Sequence, residues 1–353
     1  MTAAPVLALE ELRVAFGGVA VLDGVSFTIG RGETLALVGE SGSGKSVAAL
    51  AVMGMLRGGR VSGGRILFGG ADGVVDLAAM SERALRAYRG RRIAMIFQEP
   101  MSALNPAMRI GAQLGECLAL HRPELRGGTR REAAAGLLAR TGIADPDRCL
   151  GAYPHHLSGG MRQRVMIAMA LAGTPALLIA DEPTTALDAG TRGRILALIR
   201  DLAAESGTST LFITHDFGSA AAIADRVAVL YAGRILEDGP IGSVLHAPRH
   251  PYTRGLLAAM PDPDGMVLDG QGRRRLRTMA GAVPPPGARP EHCVFAPRCP
   301  QRADVCTAGR VDVRFVDAQS VDAQSVNAQS VDAQSVDARR VACARAQDWL
   351  VAP

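Results

Sequence analysis

The chain has 353 residues, 48% of them apolar and 21% charged, with 39 Lys plus Arg against 34 Asp plus Glu and a formal net charge of +5. That length suits one α/β domain of about 200–250 residues with a smaller appendage. No apolar run reaches the about 18 residues a membrane-crossing helix needs, residues 1–12 carry acids but no basic segment, and six Cys are too few for a disulfide scaffold of this size, so a cytoplasmic chain is expected.

Residues 6–38 read as short strands separated by Gly turns, the last being Glu33–Val38. A glycine-rich loop follows, then a helix-compatible run, Val47–Leu56. Residues 100–175 lack strand alternation and are rich in Ala, Leu, Met and Arg, which predicts a mostly helical insert. Leu177–Ala180 is a short buried strand ending in acids, Arg192–Ala204 an amphipathic helix, and Thr210–Thr214 and Val227–Tyr231 further strands. Strands alternating with helices predict a parallel sheet sandwiched between helices. Near residue 240 the composition shifts to Pro, Arg and Cys. Between 316 and 340 a five-residue unit repeats as VDAQS, VDAQS, VNAQS, VDAQS, VDARR; its period fits neither helix nor strand and reads as a solvated low-complexity loop.

Gly39-Glu40-Ser41-Gly42-Ser43-Gly44-Lys45-Ser46 fits G-x-x-x-x-G-K-[ST], after a strand and before a helix. Glycines let backbone N–H groups curl around phosphates, and the helix that follows points its positive end at them. Lys45 is the single lysine of the chain; every other basic residue is Arg. A single lysine among basic residues that are otherwise all arginine points to a site that needs a compact point charge rather than a planar fork. Lys45 is expected to reach the outer phosphates and Ser46 to offer a hydroxyl to Mg²⁺. The strand Leu177–Ala180 delivers Asp181 and Glu182 to the same sheet edge. Asp181 is expected to hold Mg²⁺, through water, and Glu182 to orient and polarise the attacking water.

Five further features carry a family resemblance. Leu157-Ser158-Gly159-Gly160-Met161-Arg162-Gln163 resembles the signature of ABC-type ATPases. Gln98, in Phe97-Gln98-Glu99-Pro100, looks like the glutamine that contacts Mg²⁺ and the water; His215, in Thr214-His215-Asp216, like the switch histidine at the γ-phosphate. Ala186-Leu187-Asp188 resembles the D-loop, and Phe16 takes the place of the aromatic that stacks on adenine. Each fragment alone has an ordinary structural reading as a turn or a packed histidine. Together and in this order, over residues 6–240, they resemble one ABC cassette. The resemblance implies a P-loop NTPase fold of α/β class with a helical subdomain. It also implies that Ser158, Gly159 and Gly160 form a second phosphate cradle facing the ATP of a partner ATPase. Met161 stands where Gln is commoner, as in the oligopeptide and dipeptide importer ATPases.

After the core, His250-Pro251-Tyr252-Thr253, Leu256–Pro261 and Val283–Gly287 resemble the C-terminal extension of that importer group, and so does the segment from Cys293 to Pro300. Cys293, Cys299 and Cys306 follow a C-x5-C-x6-C spacing, with Cys343 beyond the repeat. Four Cys in a Pro-rich region can ligate an iron–sulfur cluster or Zn²⁺, or stay free thiols; the importer group's extension implies a [4Fe–4S] cluster. Cys117 and Cys149 read as packing residues.

The expectation is an ATPase domain over 1–245 and a Cys/Pro-rich extension over 246–353. The resemblance implies a peripheral subunit on the cytoplasmic face of the cell membrane that hydrolyses ATP to drive import of di- or oligopeptides, with nickel, glutathione or other small solutes as alternative cargo. Implied partners are a second ABC ATPase (homo- or heterodimer), two transmembrane permeases and an extracytoplasmic substrate-binding protein, with no nucleic acid. A soluble translation factor would carry two cassettes, and a DNA-repair ATPase a long coiled coil between Ser46 and Ser158; neither pattern occurs.

Overall fold

The structure is a computed structural model that describes residues 4–70, 73–98, 103–185, 187–260, 267–268, 274–275, 278–311, 313–315 and 339–346. Residues 316–338 of the repeat, Glu99-Pro100 and Ala186 lie outside the described residues.

Two sheets build the core. The first is antiparallel, with strand order β2-β1-β4-β5. Strands β1 (Leu7–Phe16) and β2 (Val19–Ile29) turn on Gly17-Gly18, both at positive φ, as a tight hairpin requires. After β3 (Thr34–Val38) and α1 (Lys45–Val52), the chain returns to this sheet as β4 (Gly59–Gly70) and β5 (Gly73–Asp76), then forms α2 (Glu82–Arg86).

The second sheet contains β6 (Ile93–Ile96), β7 (Leu177–Asp181), β8 (Ser209–Thr214), β9 (Arg226–Tyr231) and β10 (Arg234–Pro240), in the order β10-β9-β3-β8-β7-β6. From β9 to β6 it is parallel; β10 is antiparallel and pairs with the short strand Arg340–Val341. Strands β3, β7 and β8 are buried along their whole length, which explains their near-continuous apolar runs. Alternation still decides what each residue touches. Leu35 and Leu37 face the antiparallel sheet and α1, while Ala36 and Val38 face the helices on the other side.

Helices α3 (Ile110–His121), α4 (Gly127–Arg140), α5 (Pro146–Gly151) and α6 (Gly159–Leu171) form the insert. They have a core of their own, with Leu114, Leu118, Leu138, Leu150 and Val165. Met166, Ile167 and Leu171 of α6 pack instead under the sheet, so α6 ties the insert to it. Helices α7 (Ala189–Ser206) and α8 (Phe217–Ile223) then connect β7, β8 and β9.

Several element boundaries differ from expectation. Helix α1 spans 45–52 rather than 47–56, because Gly44 (φ 110) starts it and the chain leaves it at Gly54 (φ 61). Helix α7 extends beyond 192–204 at both ends, capped by the Asp188 carboxylate and closed by Gly207 at φ 63. The insert is mostly helical as expected, its helices α3 to α6 lying within 110–171. Strands β1 and β2 are 10 and 11 residues long, not short, and belong to a separate antiparallel sheet. That sheet was illegible because β4, GRVSGGRILFGG, carries the glycines that otherwise signal loops.

Beyond β10, helices α9 (Ile241–His246) and α10 (Pro251–Ala258) lead into a segment of short turns. Tyr252, Val294, Phe295 and Ala342 share a core cluster with Phe212, Val229 and Tyr231 of the parallel sheet. Ring centroids of Tyr231, Tyr252 and Phe295 lie 4.5–5.4 Å apart, a favourable tilted and edge-on cluster. Among the described residues no helix is long and apolar enough to cross a membrane.

Candidate active site

The carboxyl ends of β3, β6, β7 and β8 meet at one edge of the parallel sheet, where ligands of open α/β sheets bind. From β3 the chain enters the loop 39–44. A Cβ on Gly39 would stand 2.1 Å from the Leu230 carbonyl oxygen, and one on Gly44 2.7 Å from Leu22 Cδ2. These glycines are needed for close approach to β9 and β2. Lys45 Nζ donates to the carbonyls of Gly39 (2.8 Å) and Glu40 (3.1 Å). Burial pushes the Lys45 pKa down, opposed by the charges of Glu182, Asp181 and Glu40. Ser43 is fully buried, and its carbonyl accepts from Gly233 N at 2.8 Å. Ser41, Gly42 and Ser46 remain exposed at the mouth.

From β7 come Asp181 and Glu182. Asp181 Oδ1 accepts from Ser46 Oγ at 3.2 Å, joining the loop to the strand end. Burial raises the Asp181 pKa, and the Ser46 hydrogen bond partly offsets this. Glu182 has φ 44, a left-handed backbone that a non-glycine residue adopts at a cost of about 1–3 kcal/mol. Its N–H is held by the Ile213 carbonyl (2.9 Å), which fixes the turn. One oxygen, Oε2, accepts from Thr185 Oγ1 (2.8 Å) and Gln98 Nε2 (3.3 Å); the other, Oε1, lies 3.2 Å from His215 Nδ1. Burial alone would raise the Glu182 pKa, but Thr185, His215 and Lys45 together hold it below the usual carboxylate range. Gln98, Glu182 and His215 thus converge from three strand ends, beside Lys45, Ser46 and Asp181. Such a set can neutralise phosphate charge and orient a water.

Ser158 caps α6, its Oγ accepting from Met161 N at 3.3 Å, with Gly159 and Gly160 in the first turn. Asp188 caps α7, accepting from Thr191 N at 2.9 Å. The two caps are neighbours: a Cβ on Gly160 would lie 3.4 Å from Thr191 Cγ2. Among the described residues no hydrogen bond joins Ser158, Gly159, Gly160 or Asp188 to the loop 39–46. Phe16 ends β1 half-buried, its ring lying over Gly59 so closely that a Cβ there would be 2.5 Å from Cζ.

Cys293, Cys299, Cys306 and Cys343 line one cavity of about 10 Å³, together with His250. The cavity barely matches the roughly 10–15 Å³ a single water needs, and burial raises the pKa of Cys293 and Cys299 and pushes Cys343 up to about 11. No group of three or more His, Cys, Asp or Glu among the described residues is arranged to hold a metal ion. The four thiols are gathered as the spacing suggested, but the arrangement is not a ready ligand set for iron–sulfur or zinc. Cys149 is buried and Cys117 half-buried against the insert's core.

Residues the sequence did not single out also reach the site. Thr185 holds Glu182, and its hydroxyl three residues on from the carboxylate was a readable signal. Tyr252 and Arg298 contact Glu40 of the loop from the C-terminal segment, a contact no local pattern announces.

A family model described as ABC transporter matches residues 22–185, and one described as Oligopeptide/dipeptide transporter, C-terminal region, matches 236–306. A Brucella abortus relative, provisionally named a peptide import ATP-binding protein, is 49% identical over 321 residues, covering 87% of this chain and 93% of its own. The dipeptide transport ATP-binding protein DppD of Bacillus subtilis is 45% identical over 307 residues, 85% of this chain and 88% of its own. Among solved structures, the dimeric ATP-binding cassette MJ0796 in a post-hydrolysis state with ADP and Pi matches with TM-score 0.59 at 26% identity, covering 67% of this chain and 98% of that one. The chain belongs to the ABC transporter family of ATP-hydrolysing cassettes and carries the C-terminal region of its oligopeptide/dipeptide branch.

Proposed function

We propose that this chain is the ATP-hydrolysing subunit of an importer of di- or oligopeptides, an ATPase domain over 1–245 with its extension over 246–353. The observation that carries the reading is the convergence of Gln98 and His215 on an ionised Glu182 beside the loop 39–46. Gly39–Ser46 receives the phosphates of ATP, and Lys45 leaves the Gly39 and Glu40 carbonyls to pair with the outer ones. Phe16 offers a half-buried ring to the adenine. Ser46, Asp181 and Gln98 supply the hard oxygen donors that suit Mg²⁺, which would neutralise phosphate charge. Glu182 orients the attacking water and takes its proton, and His215 stands by the same carboxylate to sense the γ-phosphate. Ser158, Gly159, Gly160 and Asp188 meet no phosphate loop in their own chain. They complete the site of a second ATPase subunit, whose own cap does the same in return.

The peptide cargo rests on the C-terminal region and on the relatives' names. In this reading the chain sits peripherally at the cytoplasmic face of the membrane with two permeases, and an extracytoplasmic binding protein delivers the substrate. We further propose that Cys293, Cys299, Cys306 and Cys343 are the ligands of a [4Fe–4S] cluster, although the cavity between them, about 10 Å³, is too small for one as it stands. Support comes from the gathering of four thiols across the long sequence gap before Cys343. The extension, purified anaerobically within the full chain, is then expected to hold iron and acid-labile sulfide, and neither should remain in Cys306→Ser.

The test is mass spectrometry of what co-purifies with the tagged chain from gently solubilised membranes. Two polytopic permeases, a second ATPase and a peptide-loaded binding protein are expected. Emergence of the chain alone, or with ribosomes or DNA, would overturn the transport reading. A nickel- or glutathione-loaded binding protein would replace the cargo.

A further inference from the structure

Glu40 is the second residue of the phosphate loop, and every polar group it has is engaged. Its carbonyl accepts from Lys45 Nζ (3.1 Å) and Ser43 N (3.2 Å), within the loop. Its N–H donates to Tyr252 Oη at 3.0 Å. Its carboxylate accepts from both ends of the Arg298 guanidinium, Nη1 at 2.8 Å and Nη2 at 3.1 Å. Tyr252 and Arg298 belong to the C-terminal segment, Arg298 lying 258 positions from Glu40 and next to Cys299.

Arg298 is itself fixed. Its side chain is 7% exposed, its Nε donates to the Ala280 carbonyl at 2.8 Å, and its Nη1 also reaches Tyr231 Oη at 3.3 Å. The guanidinium carbon lies 5.6 Å from the Tyr231 ring centre, within cation–π range. A planar fork held at three sides has one orientation, and a flexible ammonium cannot reproduce it. Glu40, by contrast, places a negative charge in a loop built to receive a polyanion. Left unpaired, that charge would repel the phosphates at close range.

We propose that Arg298 is a positioning residue for the nucleotide site: by neutralising and holding Glu40, with Tyr252 anchoring the Glu40 N–H, it lets the C-terminal segment set the phosphate loop for ATP. The proposal rests on the reading of Gly39–Ser46 as the ATP phosphate loop. It gives the C-terminal segment a direct part in nucleotide affinity, in addition to whatever the cysteines hold. Because Arg298 does not reach the hydrolytic group Gln98, Glu182 and His215, its effect falls on KM rather than on kcat.

The test is steady-state ATP hydrolysis and ATP affinity of the full chain. Arg298→Ala is expected to raise the KM for ATP about tenfold, the scale of one charge-assisted contact, and to change kcat less than about twofold. Adding Glu40→Gln to Arg298→Ala removes the stranded charge and is expected to bring KM back to within about threefold of the starting protein. Tyr252→Phe deletes one oxygen from a packed ring and is expected to raise KM about two- to threefold. A merely structural Arg298 would not be rescued by neutralising Glu40, so an unchanged KM in Arg298→Ala, or no rescue in the double variant, overturns the proposal. If Arg298→Ala fails to fold, Arg298→Gln, which also removes the charge but keeps more of the side chain, gives the same comparison with and without Glu40→Gln. Lys45→Ala separates the two readings. If it leaves ATP affinity intact, the loop assignment fails; if it abolishes binding while Arg298→Ala does not weaken it, only the present proposal fails.

Discussion

His215 Nδ1 stands 3.2 Å from Glu182 Oε1, while Gln98 and Thr185 donate to the other carboxylate oxygen, so the three strand ends are joined through one side chain. The two oxygens of Glu182 are thus divided between His215 on one side and the Gln98–Thr185 pair on the other. Oε1 has only His215 beside it, so it keeps a lone pair with which Glu182 can accept from a water while its other partners stay in place. Glu182→Gln preserves shape and most hydrogen bonds but cannot accept a proton. ATP affinity is expected to stay within about threefold, while single-turnover phosphate release slows by about 10²–10⁴. Turnover at the starting rate would remove Glu182 from the chemistry.

Lys45 is expected to tolerate no replacement, including the most similar one. Its side chain is buried, and its Nζ sits between two loop carbonyls spaced for a single ammonium. The broad guanidinium of Lys45→Arg does not fit between those carbonyls. Both Lys45→Arg and Lys45→Ala are expected to weaken ATP binding about 10- to 100-fold, measured by direct titration. Near-normal affinity in Lys45→Arg would mean that charge alone, and not its compactness, is what the loop requires.

The glycines of the loop should separate into two kinds. A Cβ on Gly39 would meet a backbone oxygen, Leu230 O, at 2.1 Å, and neither side can yield without moving a strand. Gly42 has open space around its Cβ position and only its φ of 78 to object. Gly42→Ala is therefore expected to cost about 1–2 kcal/mol and lower Tm by about 2–4 °C. Gly39→Ala is expected to exceed about 4 kcal/mol or to prevent folding. Thermal denaturation of the two variants decides it, and equal losses would contradict the close packing of Gly39 on β9.

Gly39–Ser46, Asp181, Glu182, Gln98 and His215 were legible because each sits at or just beyond the end of a strand, and parallel strands bring their carboxyl ends to one edge whatever lies between them. Lys45 stood out because it is the only lysine in a chain whose other strongly basic residues are all Arg. Arg298 was not legible, since its distance of 258 positions from Glu40 leaves no local pattern. The antiparallel sheet was hidden by the glycines of β4, which local chemistry assigns to turns and which tertiary pairing with β1 overrides. The cysteines were legible as a set, but the room between them depends on packing against His250 and Phe295, which spacing does not encode.

His250 should make the fold acid-sensitive. It is completely buried at the start of α10, where its Nδ1 accepts from Tyr252 N at 3.0 Å and its backbone N–H donates to Glu237 Oε2 at 3.0 Å. Burial drives its pKa down from 6.5 to about 3. In the unfolded chain the ring takes a proton below its ordinary value, whereas the folded ring stays neutral until far lower pH. The unfolded state therefore binds more protons across that window, and stability is full above the ordinary value and falls as pH drops towards the folded one. The loss approaches about 2 kcal/mol by about pH 5. Glu237, whose pKa burial raises, works in the opposite sense, because its folded form takes up a proton first. As free thiols, Cys293, Cys299 and Cys343 have pKa values raised by burial and do not titrate in this range. His250→Asn keeps an acceptor near the Nδ1 position and removes the titration. Its Tm at neutral pH is expected to be lower than that of the starting protein, but its further drop between about pH 7 and about pH 5 to be smaller by several degrees. If both proteins lose the same Tm over that interval, the acid sensitivity belongs to other groups.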